Sequence, residues 1–539
     1  MEDFFKAKEF FKELKWKEKG QGFNILFFNG GSRDYCNDSL TIGMQTIIRE
    51  LNEVPGVFCD VAYIPPKSQL NLFEKQKCAI TGVYSEKQAD EFDMLMFSFY
   101  YQYQYINLPW LLARSRVQPL TKDRKTGPIV MSGGFVNINP ESIAEFVDLA
   151  FLGEFDFYGQ KMAEILKEHS SREDRIAAFA QEPFIYRPSD FEPEINDKGR
   201  ITGIYSKHNK EAPVKEFRTV PGKDLIPYNA ITEKRETVTA RGCNNVCSFC
   251  VLSALSPKRD YSLEQIKPLI KPWKLGMKKE LKVFSPDEGD TAYYPQLVDY
   301  IHSLGYNVAS GDCRVTSMSK EWISSLKNAG GKKLSLGIEG MNQLQRDFVN
   351  KNCKQSDIYK AFETLFEINY PRVKLFYILK LLPYTPEVVA DMEAELKHIL
   401  EIKAQYKATT LLEFSLTRFV SVPQTPFQWL GYIPRNMRAD EKIMQFYQKM
   451  GGGPEKGGYF IDRCEEELSN QMSHVFGRAD RRIAKPLIDW TLRDGNYYFG
   501  SLTSRQCNEF LRSLKTTYKI PIEDWYKNAG LMNSCTGAL

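Results

Sequence analysis

Along the first third of the chain, short apolar runs alternate with amphipathic stretches in a rhythm that predicts parallel strands joined by helices. FNILFF (23–28), VFCDVAY (57–63), DMLMFSF (93–99) and PIVMSGG (128–134) are continuously apolar and of strand length, as expected of strands buried on both faces. TIGMQTIIREL, between the first two, has helical spacing and predicts the first crossover helix. The class is α/β, and residues 1–165 read as a Rossmann-like doubly wound domain. Ligands of such sheets sit beyond the carboxyl ends of the strands, so a cofactor crevice is expected at loops 29–37, 132–141 and 152–157. The opening segment sets Phe4, Phe5, Phe10, Phe11, Leu14 and Trp16 among lysines and glutamates, which predicts a helix with one apolar face packed on its own domain.

Residues 166–232 have weak periodicity and read as a connector with a little sheet. A second α/β series then begins with TVTA from Thr237 and continues through ELKVFS (280–285), NVASGDC (307–313), KKLSLGIEG (332–340), VKLFYIL (373–379) and TTLLEFSL (409–416). These six strand–helix units predict a partial (β/α)6 TIM-type barrel over 233–430, with its chemistry at the C-terminal ends of the strands. Residues 431–539 read as a helical C-terminal domain.

The 539 residues carry 72 basic and 68 acidic side chains, a formal net charge of +4 that does not mark a nucleic-acid or membrane-surface protein. No apolar run approaches the ~18–20 residues that span a bilayer, and the start does not read as a signal peptide, so a cytoplasmic protein is expected. Eleven cysteines in such a chain argue for reduced thiols. Cys36, Cys59, Cys78, Cys313, Cys353, Cys464, Cys507 and Cys535 are scattered singly and read as buried or incidental thiols.

The other three stand together in TARGCNNVCSFC (239–250), where Cys243, Cys247 and Cys250 are spaced C-x3-C-x2-C directly after the first barrel strand. Three thiolates on one short loop can hold three irons of a 4Fe-4S cubane and leave the fourth without a protein ligand. A structural zinc site normally closes with four ligands, and no further Cys or His stands within about twenty residues on either side. A chance group of buried thiols is the remaining alternative.

With this spacing, its position after a strand and Phe249 just before the third cysteine, the chain resembles the radical S-adenosylmethionine (SAM) superfamily. The resemblance implies that SAM chelates the open iron and is reductively cleaved to methionine and a 5'-deoxyadenosyl radical, with a reductant such as flavodoxin or ferredoxin as partner. It also implies site residues: Asp287 and Arg314 as catalytic candidates, and Phe249, Pro286, Glu288, Glu339 and Leu381 as cofactor-binding ones. Pro286, Asp287 and Glu288 occupy the place of the family's Gly-Gly-Glu-like element, Arg314 follows the third strand, and Glu339 lies in LGIEG, which resembles the segment that approaches the SAM ribose. Leu381 stands where the family usually has glycine before Leu-Pro.

SFYYQYQYIN (98–107), SGGFVNINPES (132–142), FLGEFD (151–156), RFVSVPQTPFQW (418–429) and FGRADRRIAKPLIDW (476–490) extend the likeness to the cobalamin-binding-domain subgroup of that superfamily. Two segments depart from its pattern: Gly153-Glu154-Phe155-Asp156 replaces Gly-Glu-Gly-Glu, and Ser421-Val422-Pro423-Gln424 replaces Pro-Lys-Pro-His. The Asp-x-His-x-x-Gly motif that ligates cobalt is also missing, because the first histidine is His169. Cobalamin is therefore implied only without a histidine lower ligand; the alternative is a domain that shapes the substrate cavity.

The favoured reading is a radical SAM isomerase or transferase that abstracts hydrogen from a bulky substrate, a nucleic-acid or nucleotide base in DNA, RNA or a modified nucleotide. Rearrangement of an amino-acid substituent on a hypermodified base is one such reaction. Its warrant is Arg478, Arg481, Arg482, Trp490, Arg493, Tyr497 and Tyr498, the mixture that phosphate contacts and base stacking need, although a solvated helical face with a packed aromatic side uses the same residues. The alternatives are a cobalamin-dependent radical methyltransferase and a non-catalytic iron-sulfur redox protein. A methylthio transferase would need a second cluster, for which Cys36, Cys59 and Cys78 lie too far apart to form a compact motif. Tyr100, Gln102, Asn137, Asp287, Arg314 and Gln424 are the polar candidates for the pocket mouth.

Overall fold

The apolar runs of the first third become strands of one sheet. In the computed structural model these are β1 (Phe23–Ser32), β2 (Val57–Ile64), β3 (Met94–Ser98), β4 (Ile129–Gly133), β5 (Leu149–Phe151) and β6 (Ile185–Tyr186), in the order β2-β1-β3-β4-β5-β6. All neighbours are parallel except β6, which runs antiparallel to β5. The residues described are 15–18, 20–32, 41–134, 137–199, 201–208, 215–225, 227, 235–309, 312–379, 381–382, 384–431, 459–462 and 467–522. Most of the expected opening helix, and Cys36, Cys464 and Cys535, lie outside them.

The expected crossover helix spans Ile42–Glu53 and is capped where Thr41 accepts a hydrogen bond from the Met44 amide. Its Met44, Ile48 and Leu51 pack with Ile25, Phe27, Cys59, Met94 and Met131 of the sheet, which is why these strands are apolar on both faces. A hairpin, β7 (Phe191–Ile195) and β8 (Ile201–Ser206), supplies the sheet expected in the connector.

The chain divides into two compact units: Met1–Val220 with Ser421–Tyr432 and Gln471–Leu539, and Pro221–Val420 with Ile433–Asn470. The C-terminal helices, including Glu467–Arg478 and Ser504–Thr516, thus belong largely to the first unit. Their arginines and aromatics are mostly internal. Arg481 forms an ion pair with the buried Glu141 at 2.6 Å, Arg482 pairs with the buried Asp480 at 2.7 Å, and Trp490 stacks on Phe510. Tyr497 stacks on Trp110, Tyr498 is buried, and the guanidinium of buried Arg478 donates to the carbonyls of Ser421, Gln428 and Leu430. Only Arg493 of the group is well exposed, and it pairs with Asp494 at 2.8 Å. The basic-aromatic surface expected for nucleic acid is therefore chiefly an internal framework.

The second unit holds β9 (Arg235–Val238), a short antiparallel pair β10 (Ala240–Arg241) and β11 (Arg259–Asp260), then β12 (Glu280–Phe284), β13 (Asn307–Ala309), β14 (Asp312–Cys313), β15 (Leu334–Glu339), β16 (Arg372–Leu379), β17 (Leu411–Arg418) and β18 (Tyr459–Asp462). β13-β12-β9 and β14-β15-β16-β17-β18 form two arcs of parallel strands that neighbour one another in chain order, the partial TIM-type barrel. The expected third strand is two short ones. A further parallel strand, β18, lies in the region expected to be helical. Helices Gln343–Phe348 and Pro386–Gln405 are joined by a bidentate pair between Arg346 and Glu395, at 2.9 and 2.8 Å, both buried. No helix among the described residues is long and apolar enough to cross a membrane.

Two outcomes follow from buried charge. Arg346→Ala leaves the Glu395 carboxylate buried without its guanidinium and should lower the stability of the second unit by ~3–5 kcal/mol, while Arg346→Met with Glu395→Leu recovers most of that loss in denaturant unfolding. In the first unit, burial pushes the Glu50 carboxyl from 4.5 up to about 7, with Asp156 adding to the rise and the Gly159 and Phe157 amides opposing it. The folded state thus holds this proton more tightly than the unfolded chain, so its contribution is full below pH 4.5 and is lost as pH rises to about 7. Glu50→Gln keeps the acceptor for Gly159 without the charge, and its melting temperature relative to wild type should climb across that window and level off above it.

Candidate active site

The loop after β9 is shaped by one close approach. Gly242 has φ +70°, and a Cβ there would lie 2.3 Å from the Ser256 carbonyl and 2.1 Å from that of Pro257, so only glycine lets the chain pass. Immediately beyond it the Cys243 amide donates to the Ser256 carbonyl at 3.0 Å. On the other side Ser248 N donates to the Val349 carbonyl and Asn350 Nδ2 to that of Val246, so the cysteine loop is tied at both flanks. Cys250 opens the short helix Val251–Leu255. Cys247 is buried, whereas Cys243, Cys250 and Phe249 are partly exposed.

The remaining candidates sit at the C-terminal ends of successive strands. After β12, Pro286 is partly exposed; Asp287 is buried and its Oδ1 accepts from the Arg314 amide at 3.1 Å and from Ser317 Oγ at 2.6 Å. Glu288 is fully buried, and its Oε2 accepts from the Tyr294 hydroxyl at 2.6 Å. After β14, the buried Arg314 directs NH1 at Cys247 Sγ, 3.4 Å away, and NH2 at the Lys351 carbonyl. At the end of β15 the pairing with β16 shifts register between Gly337 and Glu339, and Glu339 takes φ +67°. A bulge at a strand end re-aims a side chain, and here Glu339 Oε1 meets Lys351 Nζ at 3.2 Å. Gly337 leaves room for that pair, since a Cβ there would come within 2.7 Å of Glu339 Oε1 and 3.1 Å of Lys351 Nζ. Leu381, after β16, is buried.

Cys247, Asp287, Arg314 and Glu339 are thus linked into one group, and the residue that completes the linkage, Lys351, carries no motif. The signal was local: Lys351 is flanked by Asn350 and Asn352, both in the left-handed region at φ 52° and 49°, where asparagine is tolerated, and this turn brings the lysine inward. Burial raises the Cys247 thiol above its usual range, against the positive charges of Lys351 and Arg314. Of the pocket-mouth candidates, Tyr100, Gln102, Asn137 and Gln424 lie in the first unit and Asp287 and Arg314 in the second. Asn137 and Gln424 are buried, Asn137 donating to the Phe151 carbonyl, whereas Tyr100 is 57% exposed.

Among the described residues no three Cys, His, Asp or Glu side chains converge on a point that could hold a metal ion. A single zinc needs its ligands to meet at one atom, whereas each thiolate of a cubane meets its own iron. Three thiols on one tied loop, Cys247 among them against the buried Arg314 guanidinium, have the donor chemistry that a cubane takes.

Residues 43–188 match the family described as radical SAM proteins, N-terminal, and residues 237–394 match the radical SAM superfamily. The uncharacterized protein MJ0966 of Methanocaldococcus jannaschii is 22% identical over 434 residues, covering 77% of this chain and 85% of its own. Among solved structures, the radical SAM methyltransferase TsrM from Kitasatospora setae, with cobalamin and a 4Fe-4S cluster bound, aligns with a TM-score of 0.49 at 13% identity over 76% of this chain and 77% of its own. The cobalamin-dependent SAM radical enzyme OxsB, with aqua-cobalamin and SAM bound, aligns at 0.49 and 13% over 93% of this chain and 71% of its own. With both regions matched in turn, a Rossmann-like sheet ahead of a partial barrel as the resemblance to the cobalamin-binding-domain subgroup implied, the chain belongs to the radical SAM superfamily.

Proposed function

We propose that the second unit starts a radical reaction on a carbon centre of its substrate, with Cys243, Cys247 and Cys250 holding a 4Fe-4S cluster. The observation that carries this is the tied loop of three cysteines at the C-terminal end of β9, with the buried Arg314 guanidinium 3.4 Å from Cys247 Sγ. Held by Cys243, Cys247 and Cys250, such a cluster would supply an open iron for SAM and one electron, from a reductant such as flavodoxin or ferredoxin, for cleavage of SAM to methionine and the 5'-deoxyadenosyl radical that would take a hydrogen atom from substrate.

This chain's own residues supply the setting. Arg314 is fixed by Asp287 through its amide and by the Lys351 carbonyl through its guanidinium, so its donor to Cys247 is pre-positioned. Asp287, with Pro286 and Glu288, would orient the amino group of SAM; Glu288 is held rigidly by Tyr294. Glu339 would approach the ribose, and Leu381 and Phe249 would give apolar surface around the adenine and the cluster, keeping water from a reactive radical. The nucleic-acid substrate reading loses the warrant it had in the C-terminal arginines and aromatics, because most of these are internal.

A second reading, cobalamin-dependent methyl transfer, is favoured by one feature of the first unit. Strands β2-β1-β3-β4-β5 have the order whose ligand crevice opens between β1 and β3, and the exposed Tyr100 and Tyr101 follow β3 there. The cobalt would have no histidine from the loops after β1 to β4, since His169 is the first in the chain.

Anaerobically reconstituted protein with dithionite and SAM should release 5'-deoxyadenosine, and Cys250→Ala should abolish it; product from the variant at the wild-type rate rules out the cluster assignment, and no product from a clustered wild type favours a non-catalytic redox protein. Hydroxocobalamin retained through gel filtration, followed by its visible absorption, sharply favours methyl transfer, whereas complete loss of the corrin removes that reading.

A further inference from the structure

Two cations lie buried at the cysteine loop, and their partners are unequal. Lys351 Nζ has the Glu339 carboxylate at 3.2 Å. The Arg314 guanidinium is directed at Cys247 Sγ and at a carbonyl, while the nearby Asp287 carboxylate accepts from Arg314's backbone amide. Burying a guanidinium is costly unless an anion answers it, and a neutral thiol does not. The geometry therefore suits a sulfur that carries negative charge, as it does when ligating iron.

Lys351 is set beside the same sulfur by the backbone: its carbonyl accepts from the Arg314 guanidinium, and the preceding Val349 carbonyl and Asn350 side chain bond Ser248 and Val246 on either side of Cys247. Three features hold it there: the Asn350 and Asn352 turn, the ion pair with the re-aimed Glu339, and the space left by Gly337. None of these is required merely to pack a lysine, whose long stem lets its ammonium reach water.

Taking up an electron adds a negative charge to a cluster, so a fixed positive charge nearby stabilises the reduced form, and hydrogen bonds to the sulfur act in the same direction. We infer that Lys351 is a positioning residue that, with Arg314, sets how readily the cluster of the proposed reaction accepts its electron, and that Glu339 tempers this effect by partly neutralising the lysine. The inference rests on the radical SAM reading of the same site.

The test is an EPR-monitored redox titration of full-length, anaerobically reconstituted protein without SAM. In Lys351→Met the ratio of reduced to oxidised cluster at the wild-type midpoint should fall by about tenfold, equivalent to a midpoint ~59 mV lower for a one-electron couple. Lys351→Arg, which keeps the charge, should stay near wild type, and Glu339→Gln, which unmasks the lysine, should move the midpoint upward. A merely structural role moves cluster content and melting temperature but not the midpoint. Lys351→Met with full cluster content and the wild-type midpoint overturns the inference; should that variant fail to retain iron, an unshifted or lowered midpoint in Glu339→Gln overturns it instead. A wild type with no 4Fe-4S signal overturns the underlying reading, which distinguishes that failure from this one.

Discussion

The contact between the Arg314 guanidinium and Cys247 sulfur is the constraint around which the second unit's strand ends are arranged. A positive charge at that depth is stable only where its hydrogen bonds and counter-charge are fixed in advance. Asp287 fixes it from β12 by holding its amide, Lys351 fixes it through a carbonyl, and the cysteine loop is tied at both flanks so that the sulfur cannot drift. Backbone features that look separate serve this one requirement. The left-handed Glu339, the register shift in β15, the small Gly337 and the asparagine-flanked turn together bring Lys351, whose carbonyl holds the Arg314 guanidinium, into a buried ion pair.

The first unit is built on a different constraint, close approach between loops at the strand ends. A Cβ on Gly30 would meet the Phe99 ring at 2.5 Å, and one on Gly134, at φ +103°, would meet the Phe99 carbonyl at 2.6 Å. Phe99 packs edge-on against Tyr105, and Asn107 Nδ2 donates to the Gly30 carbonyl. The end of β1 and the loops after β3 and β4 therefore interlock around one aromatic ring, directly at the reversal of strand order. The exposed Tyr100 and Tyr101 project from a turn whose two amides are both held by Gln104 Oε1, so aromatic surface is presented there on a rigid base.

Much of this was legible in the sequence because parallel strands buried on both faces read as continuous apolar runs, and because three cysteines at fixed spacing need no tertiary context to be noticed. β18 was not legible: its four residues are too few to show a period. Lys351 was missed because its partner Glu339 lies on another element, and only the backbone turn brings the two together. Glu288 shows the opposite limit, since its place in a motif is legible, yet the sequence does not reveal that its carboxylate is taken up by Tyr294.

The C-terminal arginines show what a list of side chains leaves out. A guanidinium has five N–H donors in a planar fork and can satisfy several carbonyls at once. The segment around Ser421 to Leu430 presents such carbonyls, and Arg478 donates to three of them while a second hydrogen of NH1 reaches His474 Nδ1, which must then be the accepting, neutral nitrogen. Burial lowers the Arg478 pKa to about 9, so the charge persists near neutrality. That loop is the segment that departs from the Pro-Lys-Pro-His pattern, and its Gln424 adopts φ 62° with its amide held by Gln428 Oε1. An arginine committed to backbone carbonyls cannot also meet a phosphate. Arg478, one of the side chains that suggest a polyanion surface in a one-dimensional reading, is thus a tie between the helix Glu467–Arg478 and the Ser421 to Leu430 segment.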